Sequence, residues 1–205
     1  MPPPLMFGRN DNGDHVWRMF TNYFRCVHSS VEPGWHPISR HLGNAIESTE
    51  ASLDSEVLAL AVAVEGLAGE CFPNIAPVSP SLLAELDSVQ AALRSVELTE
   101  ATRTRIEGSL SALRRARNSD VIKAFISAQR LPPELYNSWG RLRHTSAHGG
   151  GAGGREIETT LQLKNEVLSL LYSLVLAAIN YSGPRTDYSQ QGWPATAWPT
   201  PQAQP

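Results

Sequence analysis

The sequence predicts an all-α protein: an antiparallel bundle of about four to six helices with two apolar central helices and disordered tails. Three observations predict it. Two segments, VLALAVAVEGLAG at 57–69 and VLSLLYSLVLAAI at 167–179, are apolar nearly all round, and a helix of that profile sits inside a bundle. Most of the chain between them places apolar residues at helical spacing. No segment of any length alternates with period two, so no strand is expected.

The elements follow in order. Residues 1–13, with three prolines and two glycines, read as an irregular lead-in. Asp14 can cap a helix in which Val16, Trp17, Phe20, Tyr23, Phe24 and Val27 recur at helical spacing. Residues 29–43 carry Pro33, Gly34, Pro37 and Gly43 and read as a connection with at most a helical turn. From Ser48 to Phe72 the chain is helical, and FPNIAPVSP breaks it. Ser79 and Pro80 stand as cap and first residue of the next helix, which carries Leu82, Leu83, Leu86, Val89, Leu93 and Val96. Thr99 opens another, with Ile106, Leu110 and Leu113 inward and Arg103, Arg114 and Arg115 outward. A short helix spans 120–129. Pro132 and Pro133 start one that buries Leu135, Tyr136, Trp139 and Leu142, and the last helix covers 156–181. The domain reading is a lead-in with one amphipathic helix at 1–43, a helical bundle at 44–182, and a disordered Pro/Gln-rich tail at 183–205 with Trp193 and Trp198 as adhesive points.

Charge is segregated although the net charge is only -3. Residues 44–100 hold ten acidic residues against Arg94 alone, whereas 101–145 hold nine basic residues against three acidic ones. Such a bipolar surface can steer a polyanion to one side, and it also describes two solvated faces of opposite sign. Two cysteines, Cys26 and Cys71, make neither a disulfide framework nor a zinc ribbon. Both are expected to be reduced and packed, which suits a cytoplasmic protein. The N-terminus lacks the pattern of a signal peptide, and no run of about 18 apolar residues spans a membrane.

The segment WGRLRHTSAHGG, 139–150, ends a helix, is rich in Arg and His, and runs into glycines. Arg143 and His148 are separated by four residues, and His144 follows the arginine directly. Cleavage of RNA by its own 2'-hydroxyl needs a base and an acid working near neutral pH, which histidine supplies. It also needs a cation for the phosphate, and arginine offers a planar fork. Arg9, Asn10 and His15 make a similar set with five residues between Arg and His, but that copy starts between Gly8 and Gly13, before the first predicted helix, where nothing fixes its geometry.

The later copy, RHTSAH, resembles the HEPN superfamily of ribonucleases, in which Arg, about four to six residues and then His form the motif. An aromatic helix leading into the motif and a glycine after the His are similar to the Apea-like HEPN group. The resemblance covers roughly residues 50–181. The family more often has Asn where His144 stands. The resemblance implies a metal-independent endoribonuclease in a toxin or anti-phage defence role. Arg143 and His148 would be catalytic, with His144 in support. Two protomers would pair their motifs, and an antitoxin or regulatory domain would be a further partner. No cofactor is implied.

A helical wheel complicates the arginine. With Leu135, Tyr136, Trp139 and Leu142 buried, Arg141, His144 and His148 form a stripe on the opposite side, and Arg143 falls at the edge of the core. A helix that ends or tightens near Ser146 would bring Arg143 back toward His148. Arg141 therefore stands as a backup partner of His148 or a phosphate contact, with Arg114 and Arg115 as further RNA contacts. Glu65, the lone charge in the first apolar run, is expected to pair with a motif Arg or His and orient it, or else to lie on a wetter strip. His144 and His148, four apart, also have a metal-ligand spacing, but no third ligand stands near. The same cations also read as a solvated face closing a helix C-terminus. GGGAGG at 149–154 lacks the Lys-Ser/Thr of a phosphate loop and reads as a connection.

Overall fold

The computed structural model describes residues 1–5, 13–29, 34–147 and 157–198. It is predominantly helical, as the periodicity predicts. The helices are α1 (Asp14–His28), α2 (Pro37–Glu47), α3 (Leu53–Cys71), α4 (Pro80–Leu93), α5 (Glu100–Leu113), α6 (Asn118–Ala128), α7 (Glu134–Ala147) and α8 (Ile157–Ala178). Two short strands follow, β1 (Gly183–Thr186) and β2 (Ala195–Trp198).

The two apolar runs are central. Helix α3 packs against α2, α6, α7 and α8, and α7 also packs on α8. Leu60, Ala61, Val64 and Leu67 of α3 meet Leu168, Leu171 and Leu174 of α8 in one dry core. Helix α3 starts where Ser52 Oγ accepts the Ser55 amide, with Asp54 and Glu56 favourably placed in its first turn. Glu56 is buried, and Lys164 of α8 neutralises it at 2.7 Å. Helix α7 is fixed on α3 by the Trp139 indole, which donates to the Ala61 carbonyl at 3.1 Å.

The start signals at Ser79–Pro80 and Thr99 operate as expected: Ser79 Oγ accepts the Leu82 amide and Thr99 Oγ1 the Thr102 amide. Helices α4 and α5 pair with each other, yet each buries one residue, Leu86 and Leu110. They form an arm on the bundle.

Three expectations are corrected. Residues 37–47 are helix α2, not a connection, because Pro37 occupies the first helical turn, where its missing N–H and fixed φ are tolerated. Ile38 and Ala45 of this helix are fully buried. Residues 183–198 are not a disordered tail. They form an antiparallel hairpin with Gly183 opposite Trp198 and Thr186 opposite Ala195. Its inward residues include Arg185, Thr186 and Asp187, so the period-two apolar signal is missing. Trp198 is buried under Arg185, not exposed as an adhesive point. Finally, His15 lies inside α1, not before it.

The lead-in is docked. Tyr172 and Tyr188 donate their hydroxyls to the carbonyls of Pro2 and Pro3, and the Thr186 amide donates to Pro4 at 3.1 Å. Leu5 is buried. Helix α1 forms where expected but turns Trp17, Phe20 and Phe24 outward, in a ladder of ring contacts. Met19, Tyr23 and Cys26 face the core instead.

Candidate functional site

The motif arginine stands near the C-terminal end of α7. Leu142 is buried and holds this turn on the bundle, so Arg143 emerges at the border of the core. It lies over the face of Trp139, with the guanidinium carbon 5.9 Å from the ring centroid. From there it reaches α3. Its Nε donates to Glu65 Oε2 at 2.7 Å and its Nη2 to Oε1 at 3.2 Å. This two-point hydrogen bond, together with the carboxylate's charge, raises the arginine's pKa above its ordinary value. The guanidinium is thus a fixed cation with a set orientation. A guanidinium has five N–H groups; among the described residues two are engaged by Glu65.

The pair forms because of what surrounds Glu65 in sequence. It is the one charge in an apolar run, and at the rim of α3 it faces α7 on one side and the start of α6 on the other. Asn118 of α6 also reaches it, donating from Nδ2 to Oε1 at 3.5 Å. Neither Gly66 nor Gly69 is incidental. A Cβ on Gly66 would fall 2.1 Å from the His41 ring, and one on Gly69 would fall 2.7 Å from Asn118 Oδ1. Both glycines let neighbouring side chains lie against the α3 backbone.

On the α2 side, His41 and Arg40 share a carboxylate. His41 Nε2 lies 3.0 Å from Glu70 Oε1, and Arg40 Nη2 bonds Glu70 Oε2. Burial alone would raise the Glu70 pKa, but these two partners outweigh it and hold it below the ordinary value. At the next residue, burial pushes the Cys71 thiol up to about 11, helped by Cys26 and Glu70. Cys71 and Cys26 are both half-buried and unbridged.

Between α3, the 73–78 segment and the arm lies a cleft of about 590 Å³. Arg114 and Arg115, at the C-terminal end of α5, line it together with Glu65 and Asn118. Arg114 is tied to the arm, donating to Asp87 at 2.7 Å and Gln90 at 3.0 Å. Arg115 is exposed, and among the described residues its side chain has no hydrogen-bond or ion-pair partner.

The predicted residues are therefore only partly brought together. Arg143 and Glu65 meet, and Glu65 joins them to the cleft that holds Arg114 and Arg115. Arg141 and His144 are exposed on α7, which continues as helix to Ala147, past Ser146. His148 and the glycine run 149–154 lie outside the described residues. Among the described residues no three His, Cys, Asp or Glu side chains gather as a metal site, and no helix is long and apolar enough to cross a membrane. Sequence reasoning missed Asn118 and the Arg40–His41–Glu70 cluster. Gly66 and Gly69 beside Glu65 were the available signal, since glycine inside a central helix marks close approach.

No family model matches the chain, and neither a curated protein nor a solved structure does. The likeness to HEPN ribonucleases therefore stands on the RHTSAH motif and the helical layout.

Proposed function

We propose that this chain is a metal-independent endoribonuclease of the HEPN type. The observation that carries the reading is the Arg143–Glu65 pair, which fixes a half-exposed guanidinium near the C-terminal end of α7, five residues before His148. Glu65 orients the fork from one edge, and the remaining N–H groups would hold phosphate oxygens as charge grows on them. His148 would act as base toward the 2'-hydroxyl or as acid toward the leaving 5'-oxygen, with His144 in support. Arg141, Arg114 and Arg115 would hold the RNA backbone. Two protomers would place two motifs together, and an antitoxin or regulatory domain would restrain them. That pairing and the toxin or anti-phage setting come from the resemblance alone.

The test is a cleavage assay in excess EDTA, with end-group analysis. Wild type is expected to leave 2',3'-cyclic phosphate or 3'-phosphate ends, and His148→Ala to be inactive while keeping its helical content and melting curve. Activity that EDTA removes and zinc restores would instead make His144 and His148 metal ligands.

A second reading has an observation in its favour. Two donors of the Arg143 fork already serve Glu65, the arrangement of a structural ion pair. On that reading the bundle is a non-catalytic RNA-binding or protein-interaction domain, and its expression would leave cell growth unaffected.

A further inference from the structure

We infer that the cleft between α3 and the α4–α5 arm is a nucleotide pocket that takes one unpaired nucleotide, base inward and phosphate at Arg115. This rests on the reading of the protein as an RNA-binding enzyme and gives it a substrate-gripping site apart from the motif. At about 590 Å³ the cleft falls within the range of small-ligand sites, about 300–1,000 Å³.

Its walls divide by chemistry. Pro77, Val78, Leu83 and Val121 are the apolar side chains of its lining, suited to the face of a planar base. Asn74 and Asn118 supply side-chain amides, which pair with the donor and acceptor edges of bases. Gly66 and Gly69 line the cleft without side chains, and Gly69 lets Asn118 lie against α3.

The charge balance selects an anion. Both carboxylates on the wall are already neutralised: Glu65 by Arg143, and Glu70 by Arg40 and His41. Arg114 is matched by Asp87. Arg115 is the cation left over among the described residues that line the cleft. A phosphate on the bound nucleotide would complete it, and Arg143 lies one side chain away through Glu65.

The experiment is calorimetric titration of the full chain with adenosine 3'-monophosphate and uridine 3'-monophosphate, with adenosine, uridine and inorganic phosphate as separate arms. At least one nucleotide is expected to bind more tightly than its nucleoside and than phosphate. Arg115→Gln, on an exposed side chain, is expected to weaken it about tenfold, and Leu83→Trp to block it by filling the cleft. His148→Ala is expected to leave this affinity unchanged while removing cleavage, which separates the pocket from the motif. Cleavage without nucleotide binding overturns the pocket and spares the nuclease. Nucleotide binding without cleavage of any RNA keeps the pocket and sinks the nuclease. Phosphate binding as tightly as the nucleotides removes the base from the cleft and overturns the inference, as does affinity unmoved by both cleft variants.

Discussion

Two arginines divide the molecule. Arg143 sits near the C-terminal end of α7, half-exposed, with its carboxylate partner on the neighbouring helix. Arg185 sits in the C-terminal hairpin, 6% exposed. It lies over the Trp198 ring at 4.8 Å and donates to Ser173 Oγ of α8. Burial lowers its pKa, while the charge of Asp187 opposes that. The first guanidinium stays within reach of water, and the second is enclosed by the fold. Sealed under a tryptophan, the second holds a hairpin to a helix. Arg185→Ala is therefore expected to have the largest effect on stability, about 3 kcal/mol by urea denaturation. It leaves Asp187 without its neighbouring charge and opens space beneath Trp198. Arg185→Met is expected to recover much of the loss, because Arg185 Nε is itself buried without a partner among the described residues. If Arg185→Ala melts like wild type, the hairpin is a loose appendage and the contrast dissolves.

Asp187 sharpens the same contrast through pH. It accepts from Ser169 Oγ at 3.0 Å, from the Ser189 amide at 3.0 Å and hydroxyl at 2.6 Å, and from Gln190 at 2.9 Å. Burial raises its pKa, but the Ser189 and Ser169 bonds and the charge of Arg185 prevail and leave it below the ordinary carboxylate value. A carboxyl whose folded pKa is depressed stabilises the fold above its unfolded pKa, about 3.9, and that contribution disappears as pH falls through the folded value. Asp187→Asn is expected to cost about 1 kcal/mol at neutral pH. The urea midpoints of the two proteins should converge below about pH 4. Parallel curves from neutral to strongly acid pH would show that Asp187 contributes nothing through its charge.

How much of this was legible follows from where each signal lives. Helices α3 and α8 declare themselves in long apolar runs, and the caps at Ser79 and Thr99 act through local geometry, so both are readable from neighbours in sequence. The hairpin is held by Arg185 and Asp187, which bond to Ser173 and Ser169 of α8, and by the Pro3 and Pro4 carbonyls, which accept from Tyr188 and Thr186; these partners come from other parts of the chain. Its proline-rich, polar composition gave no periodicity to find. Helix α2 was hidden because a proline that starts a helix resembles one that breaks it. At the site, the lone charge in an apolar run marked Glu65 as needing a partner, and the wheel put Arg143 at the core's edge. Neither could name Asn118 or the cleft, which exist only once α6 and the arm are placed beside α3.

The smallest expected effect on stability tests the open side. Arg143→Ala breaks a half-exposed ion pair, and pairs that water screens contribute under about 1 kcal/mol. Arg141→Lys, on the exposed side of α7, is expected to leave the urea midpoint within error. The two positions should separate in RNA cleavage at fixed salt. Arg143→Lys is expected to be nearly as damaging as Arg143→Ala, because an ammonium cannot hold Glu65 and a phosphate from two edges of one plane. Arg141→Lys is expected to be mild, since a backbone phosphate contact needs charge more than geometry. The reverse pattern, with Arg143→Lys active and Arg141→Lys dead, would make Arg141 the partner of His148. The Arg143–Glu65 pair would then hold α7 on α3, as Arg185 holds the hairpin on α8.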